Sequence, residues 1–254
     1  MNKARVSIIA ATLGLTALLV SGQAAAVTTT TWNWPGTVSD TEGGVTGTLA
    51  GYSSSGVVNN LTAETPVYYG ASYGWGVCSS GEDCQSPQHA MDNDGRRESL
   101  LVTFASQQVK LTDIQLGWAQ QGTTYGSADI SVVAYVGSGS PTMTGISYNG
   151  ISTSADWKVI GNYANVAPDA NLSLGNTTVY SSFWLIAAYN PVFGTCTGCE
   201  RASGNYDYAK LYSVTGSKSG GDQQVSEPSS MALLGISMLI GTIGLRRRQN
   251  PVAE

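Results

Sequence analysis

Charge is scarce in this chain: Asp, Glu, Lys and Arg make up 11% of its 254 residues, less than half of the roughly 25% usual in soluble domains. Histidine occurs once, as His89, and phenylalanine three times. Of the 12 basic residues, Lys3, Arg5, Arg246, Arg247 and Arg248 lie at the two ends. The interior is therefore acidic and carries no basic stripe, which excludes nucleic acid and anionic membrane surfaces, whose phosphates need Lys and Arg. A single histidine excludes His-rich metal motifs, and any Ser-His-acid triad would have to use His89. No phosphate loop or dinucleotide fingerprint is present. Outside the two ends, no stretch of helix length repeats its apolar residues at 3.6.

What remains is rich in glycine (31), in tyrosine (13), and in Ser and Thr, with 42% hydrophobic residues. That is enough to build a core and is the turn-rich composition of an extracellular β protein. Short apolar or alternating runs are separated by Gly, Ser, Asn and Asp clusters. The spacing predicts strands at Leu100 to Phe104, Val109 to Trp118, Ile130 to Val136, Trp157 to Tyr163, Thr178 to Ala188 and Tyr208 to Thr215. In the second of these, Thr112, Ile114 and Leu116 alternate with Leu111, Asp113 and Gln115, placing most apolar groups on the even face. Phe183 to Ala188 is apolar on both faces and reads as a central strand. The expected fold is all-β: a single β-sandwich, jelly-roll-like, over residues 27–216, followed by a flexible linker at 217–225.

The first residues have the plan of a signal peptide (residues 1–26): Lys3 and Arg5, an apolar stretch from Val6 to Val20, then Ala24-Ala25-Ala26 with the cut after Ala26. Signal peptidase and the Sec machinery are the implied partners. Export implies an oxidising compartment, so of the three connectivities that four cysteines allow, Cys78 with Cys84 and Cys196 with Cys199 as two local disulfides is the default reading. A redox Cys-x-x-C at Cys196 lacks the strand-then-helix context. A four-cysteine zinc site is disfavoured by the five residues inside the first pair.

At the other end, residues 228–245 are eighteen uncharged residues, about 27 Å as a helix and just enough to cross a thin hydrocarbon core. Arg246, Arg247 and Arg248 would hold the stop on the cytoplasmic side. The order Ser226-Glu227-Pro228-Ser229-Ser230, hydrophobic span, triple arginine resembles the PEP-CTERM sorting signal of Gram-negative bacteria (here 226–254). Ser226 stands where that family has its first proline. The resemblance implies processing by the exosortase, a membrane-embedded cysteine protease. It also implies transient residence in the inner membrane through the C-terminal helix, then the cell surface or extracellular matrix. The run from Pro87 to Phe104, with Val109-Lys110-Leu111, Gly117-Trp118 and Asp129-Ile130-Ser131-Val132, is similar to the exosortase-dependent surface proteins, cargo of that system without an assigned reaction.

Candidate chemistry is sparse. Asp92-Asn93-Asp94-Gly95 offers hard oxygens on a glycine turn, with Asp129 as a further ligand, and reads either as a structural calcium loop or as an Asx turn. It is not an EF-hand, since Ala90 and Leu101 would fall on ligand positions. Gly70-Ala71-Ser72-Tyr73-Gly74 matches G-x-S-x-G, but no helix follows it. Glu64, Glu82 and Glu98 show no pairing that would mark a glycoside hydrolase. Among the aromatics, Trp118 and Trp157 sit in strand patterns and are expected in the core, whereas Tyr69, Tyr73 and Trp75 precede Cys78 in a loop and are the sugar-platform candidates. The function that the resemblance to exosortase cargo implies is a non-catalytic structural or adhesive role at the cell surface, in biofilm or in extracellular polysaccharide. The alternatives are a carbohydrate-binding module and, behind it, a glycoside hydrolase.

Overall fold

The computed structural model describes residues 28–175, 177–199 and 204–220. The signal-peptide and sorting-signal residues, Ala26, Ser226, Glu227, Pro228 and Arg246 to Arg248 among them, lie outside these. Fourteen strands follow in chain order: β1 (Thr30–Trp32), β2 (Ser39–Glu42), β3 (Val45–Ser54), β4 (Thr62–Tyr68), β5 (Trp75–Cys78), β6 (Met91–Asp92) and β7 (Arg97–Phe104). Then come β8 (Val109–Gln121), β9 (Thr124–Tyr125), β10 (Ala128–Tyr135), β11 (Trp157–Val166), β12 (Asn171–Ser173), β13 (Phe183–Ala188) and β14 (Asp207–Lys218). The one α-helix among the described residues is α1 (Tyr148–Thr153).

The strands form an antiparallel sheet in the order β11-β10-β13-β7-β3-β4-β5-β14-β8-β12. The sheet curls at β4, which pairs with β3 through residues 62–64 and with β5 through residues 65–68. Pro66 lies at this handover, where one residue without an N–H is tolerated. The curl brings non-paired strands together, and β10 touches both β14 and β8. One core fills the space between the halves: Leu100, Val102, Ile130, Val132, Trp184 and Ile186 from one, Leu111, Ile114, Leu116, Leu211 and Val214 from the other. Each fully buried aliphatic side chain here contributes roughly 1.5–3 kcal/mol.

The half containing β7, β13 and β10 is covered on its second face as well. Leu101, Val133 and Leu185 pack there with Leu61, Met143, Trp157, Phe193 and the α1 residues Tyr148 and Ile151. Hence Phe183–Ala188 is central, between β10 and β7, and Trp157 is core. The helix is capped by Ser147, whose Oγ accepts from the Gly150 N–H at 3.0 Å. Its six residues are too few to show a period.

The alternation expected in β8 needs correction. Val109, Leu111, Ile114 and Leu116 are all buried, which a flat strand cannot do with Leu111 and Ile114 three apart. The pairing jumps from Leu111↔Gly216 to Asp113↔Thr215, leaving Thr112 as an extra residue that flips the phase. A second jump, from Leu116↔Leu211 to Trp118↔Lys210, leaves out Gly117. Several other boundaries shift, two of them with consequences. Residues 178–182 are not strand: Ser181 Oγ accepts from the Phe183 N–H and donates to the Tyr135 carbonyl, bending the chain before β13. β14 continues to Lys218, paired with Val109, so residues 217 and 218 are strand and not linker.

Candidate functional site

On the half formed by β8 and β14, one face is core and the other is partly covered by two loops. The bulge at Gly117 turns Trp118 outward, directly across from Lys210 on β14. Three close backbone approaches then build a site over this pair. The β4–β5 turn lies on Gly117, where a Cβ would come within 2.7 Å of the Tyr73 carbonyl oxygen. Gly74, at φ +79°, rests on the Leu211 backbone, and Gly76 on the His89 backbone; neither has room for a side chain. Glycine at these positions lets two loops press onto the sheet.

The loops deliver rings to Lys210. Its Nζ lies 4.4 Å from the Trp118 centroid, 4.5 Å from Tyr69 and 5.7 Å from Tyr73, inside the range of cation–π attraction. The His89 ring packs tilted against Tyr69, centroids 3.9 Å apart, and its Nε2 is 3.4 Å from Lys210 Nζ. Tyr69 donates its hydroxyl hydrogen to the Cys84 carbonyl at 3.2 Å, tying the face to the disulfide loop. Tyr125 meets Trp118 edge-on at 5.9 Å. Tyr125 is 68% and Tyr73 50% exposed, whereas Lys210 is 3% exposed beneath them. Burial lowers the Lys210 ammonium to about 8, still charged at neutral pH. Burial, and then the Lys210 charge, lower His89 to about 4, so the imidazole is neutral and accepts from the ammonium.

The sugar-platform candidates therefore divide. Tyr69 and Tyr73 are on this face. Trp75 is not: it is buried, and its indole N–H donates to the Trp34 carbonyl at 2.8 Å. Trp118, expected in the core, takes its place, and Tyr125 extends the row. The signal for this was the pair Gly117-Trp118, which becomes readable only once the bulge that sets Trp118 across from Lys210 is known.

A second constellation sits behind the Cys78–Cys84 disulfide, whose Cα atoms are 5.5 Å apart. The loop that it closes carries Ser79 and Glu82. Glu82, Asp92 at the end of β6 and Glu98 on β7 converge, each offering a carboxylate oxygen within 4.8 Å of the others. Among the described residues this is the one group of three or more His, Cys, Asp or Glu side chains that meets so closely. Asp92 is 0% and Glu98 1% exposed. Ser79 donates its hydroxyl hydrogen to Glu98 Oε1 and its N–H to Glu82 Oε2 at 3.2 Å. Asp92 N–H donates to Glu98 Oε2 at 3.2 Å. Burial, reinforced by the neighbouring carboxylates, pushes Asp92 and Glu98 far above the ordinary carboxylate range. Arg96 pairs with Glu64 at 3.6 Å, and its charge also reaches Glu82, where it opposes the upward push of burial.

Of the calcium candidates, only Asp92 belongs to this group. Its Oδ1 accepts from the Asp94 N–H at 3.0 Å, which is the Asx turn. Asp94 Oδ2 accepts from the Tyr208 hydroxyl at 2.8 Å. Asn93 donates to Asp207 Oδ2 at 3.0 Å and to the Tyr189 carbonyl at 2.9 Å. Asp129 Oδ1 accepts from the Asn165 N–H at 2.7 Å, and Oδ2 from Gln121 at 3.2 Å. Gly70 to Gly74 is the turn between β4 and β5, with Tyr73 and Gly74 N–H both donating to the Gly70 carbonyl, and it leads into a strand and not a helix. Cys196 and Cys199 form the second disulfide, Cα atoms 5.2 Å apart, so both pairs are local.

A family model described as the PEP-CTERM protein-sorting motif matches residues 224–248. The chain is a PEP-CTERM protein. The motif makes it an exported protein of a Gram-negative bacterium, targeted to exosortase by a membrane-anchored sorting signal. Among the described residues no helix is long and apolar enough to cross a membrane, and segment 228–245 lies outside them. No curated protein and no solved structure matches the chain.

Proposed function

We propose that this PEP-CTERM protein is a non-catalytic adhesive component of the cell surface and extracellular matrix, and that its β domain, a jelly-roll-like sandwich, binds extracellular polysaccharide through the face of Tyr73, Trp118 and Tyr125. The observation that carries the reading is the row of exposed and half-exposed rings, Trp118 on β8, Tyr125 on β9 and Tyr73 on the turn pressed against β8, beside Lys210. Aromatic faces stack on the C–H faces of sugars, and a rigid scaffold keeps the ordering cost low. Export past the inner membrane, after removal of residues 1–26 by signal peptidase, brings the face to polysaccharide. Glu82, Asp92 and Glu98 do not favour hydrolysis, because two of the three carboxyls are sealed from any substrate that would have to lie between them.

Affinity electrophoresis of the full-length protein in detergent, run through gels containing the host's exopolysaccharide, tests this. Retardation of the wild-type chain, lost in Trp118→Ala and in Tyr73→Ala with Tyr125→Ala but kept in Trp75→Phe, is the expected outcome. Equal mobility of wild-type and Trp118→Ala proteins would remove the reading.

A further inference from the structure

We propose that Glu82, Asp92 and Glu98 bind one calcium ion. Three carboxylates that approach within 4.8 Å of one another span the distance available around a single calcium, whose ligands at 2.3–2.6 Å lie at most about 5 Å apart. A separate feature points to a missing ligand. Asp92 is fully buried, yet among the described residues its Oδ2 has no hydrogen-bond partner, while Oδ1 is satisfied by the Asp94 N–H. A buried carboxylate oxygen left bare costs free energy unless a cation or proton meets it. The carboxyl to which that oxygen belongs lies in contact range of two further acids, so a cation answers the whole cluster at once.

The donor set selects the metal. All the converging groups are hard oxygens, with Ser79 Oγ against Glu98 as one more, and no imidazole or thiolate is among them, which disfavours zinc and copper. Magnesium keeps several waters in a strict octahedron, whereas calcium accepts six to eight oxygens and bidentate carboxylates. Asp92 and Glu98 at 0% and 1% exposure leave no room for a water shell on their side. Water and the half-buried Glu82 complete the outer side. The disulfide Cys78–Cys84 makes Glu82 available: it closes the loop that folds a residue sixteen positions before Glu98 back onto it.

Calorimetric titration of chelator-treated full-length protein in detergent with calcium chloride, paired with thermal melting, tests the site. One equivalent should bind with Kd of about 10⁻⁴–10⁻³ M, as in extracellular modules. Saturating calcium should raise Tm by about 3–8 °C. Glu82→Gln, on the half-exposed side, should fold normally and weaken binding at least tenfold. Cys78→Ser with Cys84→Ser should weaken it through the loop. Asp94→Asn should bind as the wild type does. The proposal is overturned by no calcium heat and no Tm shift, by magnesium replacing calcium at equal concentration, or by Asp94→Asn abolishing binding while Glu82→Gln leaves it intact.

Discussion

Asp129 and Asp207 are as buried as Asp92 and Glu98, all at 0–1% exposure, yet the two pairs of acids are provided for in opposite ways. Between Asp129 and Asp207 the fold inserts amides. Asp207 Oδ1 accepts from the Asp129 N–H at 2.8 Å and from Gln121 at 3.2 Å, and Oδ2 from Asn93. Every oxygen of the two has a donor, and the network clamps β8, β10 and β14 to the turn after β6. Around Asp92 and Glu98 no side-chain amide among the described residues donates a hydrogen bond to either carboxyl. Carboxyl faces carboxyl, and one oxygen is bare. The first arrangement is finished by protein alone; the second is the form expected where something from solution completes it.

The strongest way to break this contrast is by mutation. Asp207→Ala strips partners from Gln121, Asn93 and the Asp129 N–H, and should cost about 3 kcal/mol or more in urea unfolding. Glu98→Gln, in chelator, removes one of three crowded acids and should change stability by less than about 1 kcal/mol in either direction. Equal losses in the two variants would erase the distinction. Next in size is Gly117→Ala, which should cost about 1–3 kcal/mol, because the added methyl meets the Tyr73 carbonyl at a backbone that cannot yield. If it costs nothing, the loop does not rest on β8 as described.

The neighbouring aromatic face sharpens the contrast by titration. His89 is lowered to about 4, chiefly by burial and then by Lys210. The unfolded chain therefore binds this proton first, and the stability present above pH 6.5 should drain away as pH falls through 4. In His89→Gln that part of the pH–stability curve should flatten. A curve that keeps its slope would assign the acid sensitivity elsewhere. The smallest effect is expected for Trp118→Ala, half-exposed on the outer face: less than about 1 kcal/mol of stability, with glycan retention lost.

How far the sequence disclosed this can be traced residue by residue. β7, β10 and β13 announced themselves as apolar runs because both of their faces are covered. β3 stayed hidden because Gly47 and Gly51 occupy its inward positions, and the buried Trp32 and Trp34 indoles fill the space that a Gly47 side chain would take, donating to the Val45 and Gly47 carbonyls at 2.9 and 2.8 Å. In β8 the period was read correctly for half of the strand and inverted for the rest, since no composition rule marks Thr112 as a bulge. Of the aromatic face, Tyr69 and Tyr73 were legible from their loop, and Trp118 was not, because its side of the strand depends on that phase. Glu82 and Glu98 were noted as isolated acids. Their meeting depends on a disulfide loop folding back across the sheet, which spacing along the chain does not encode. The sorting motif, by contrast, is a local code, and the family model matches residues 224–248 where the sequence pattern marked 226–254.

The account holds that exosortase releases this protein and that the Trp118 face then retains it in the matrix. Cell fractionation with intact mass analysis, on host strains carrying wild-type protein, wild-type protein without exosortase, or Trp118→Ala, examines both steps together. The expected result is processed wild-type protein in the matrix fraction, unprocessed protein held in the membrane when exosortase is absent, and processed Trp118→Ala lost to the medium. Trp118→Ala remaining in the matrix at the wild-type level would contradict the account.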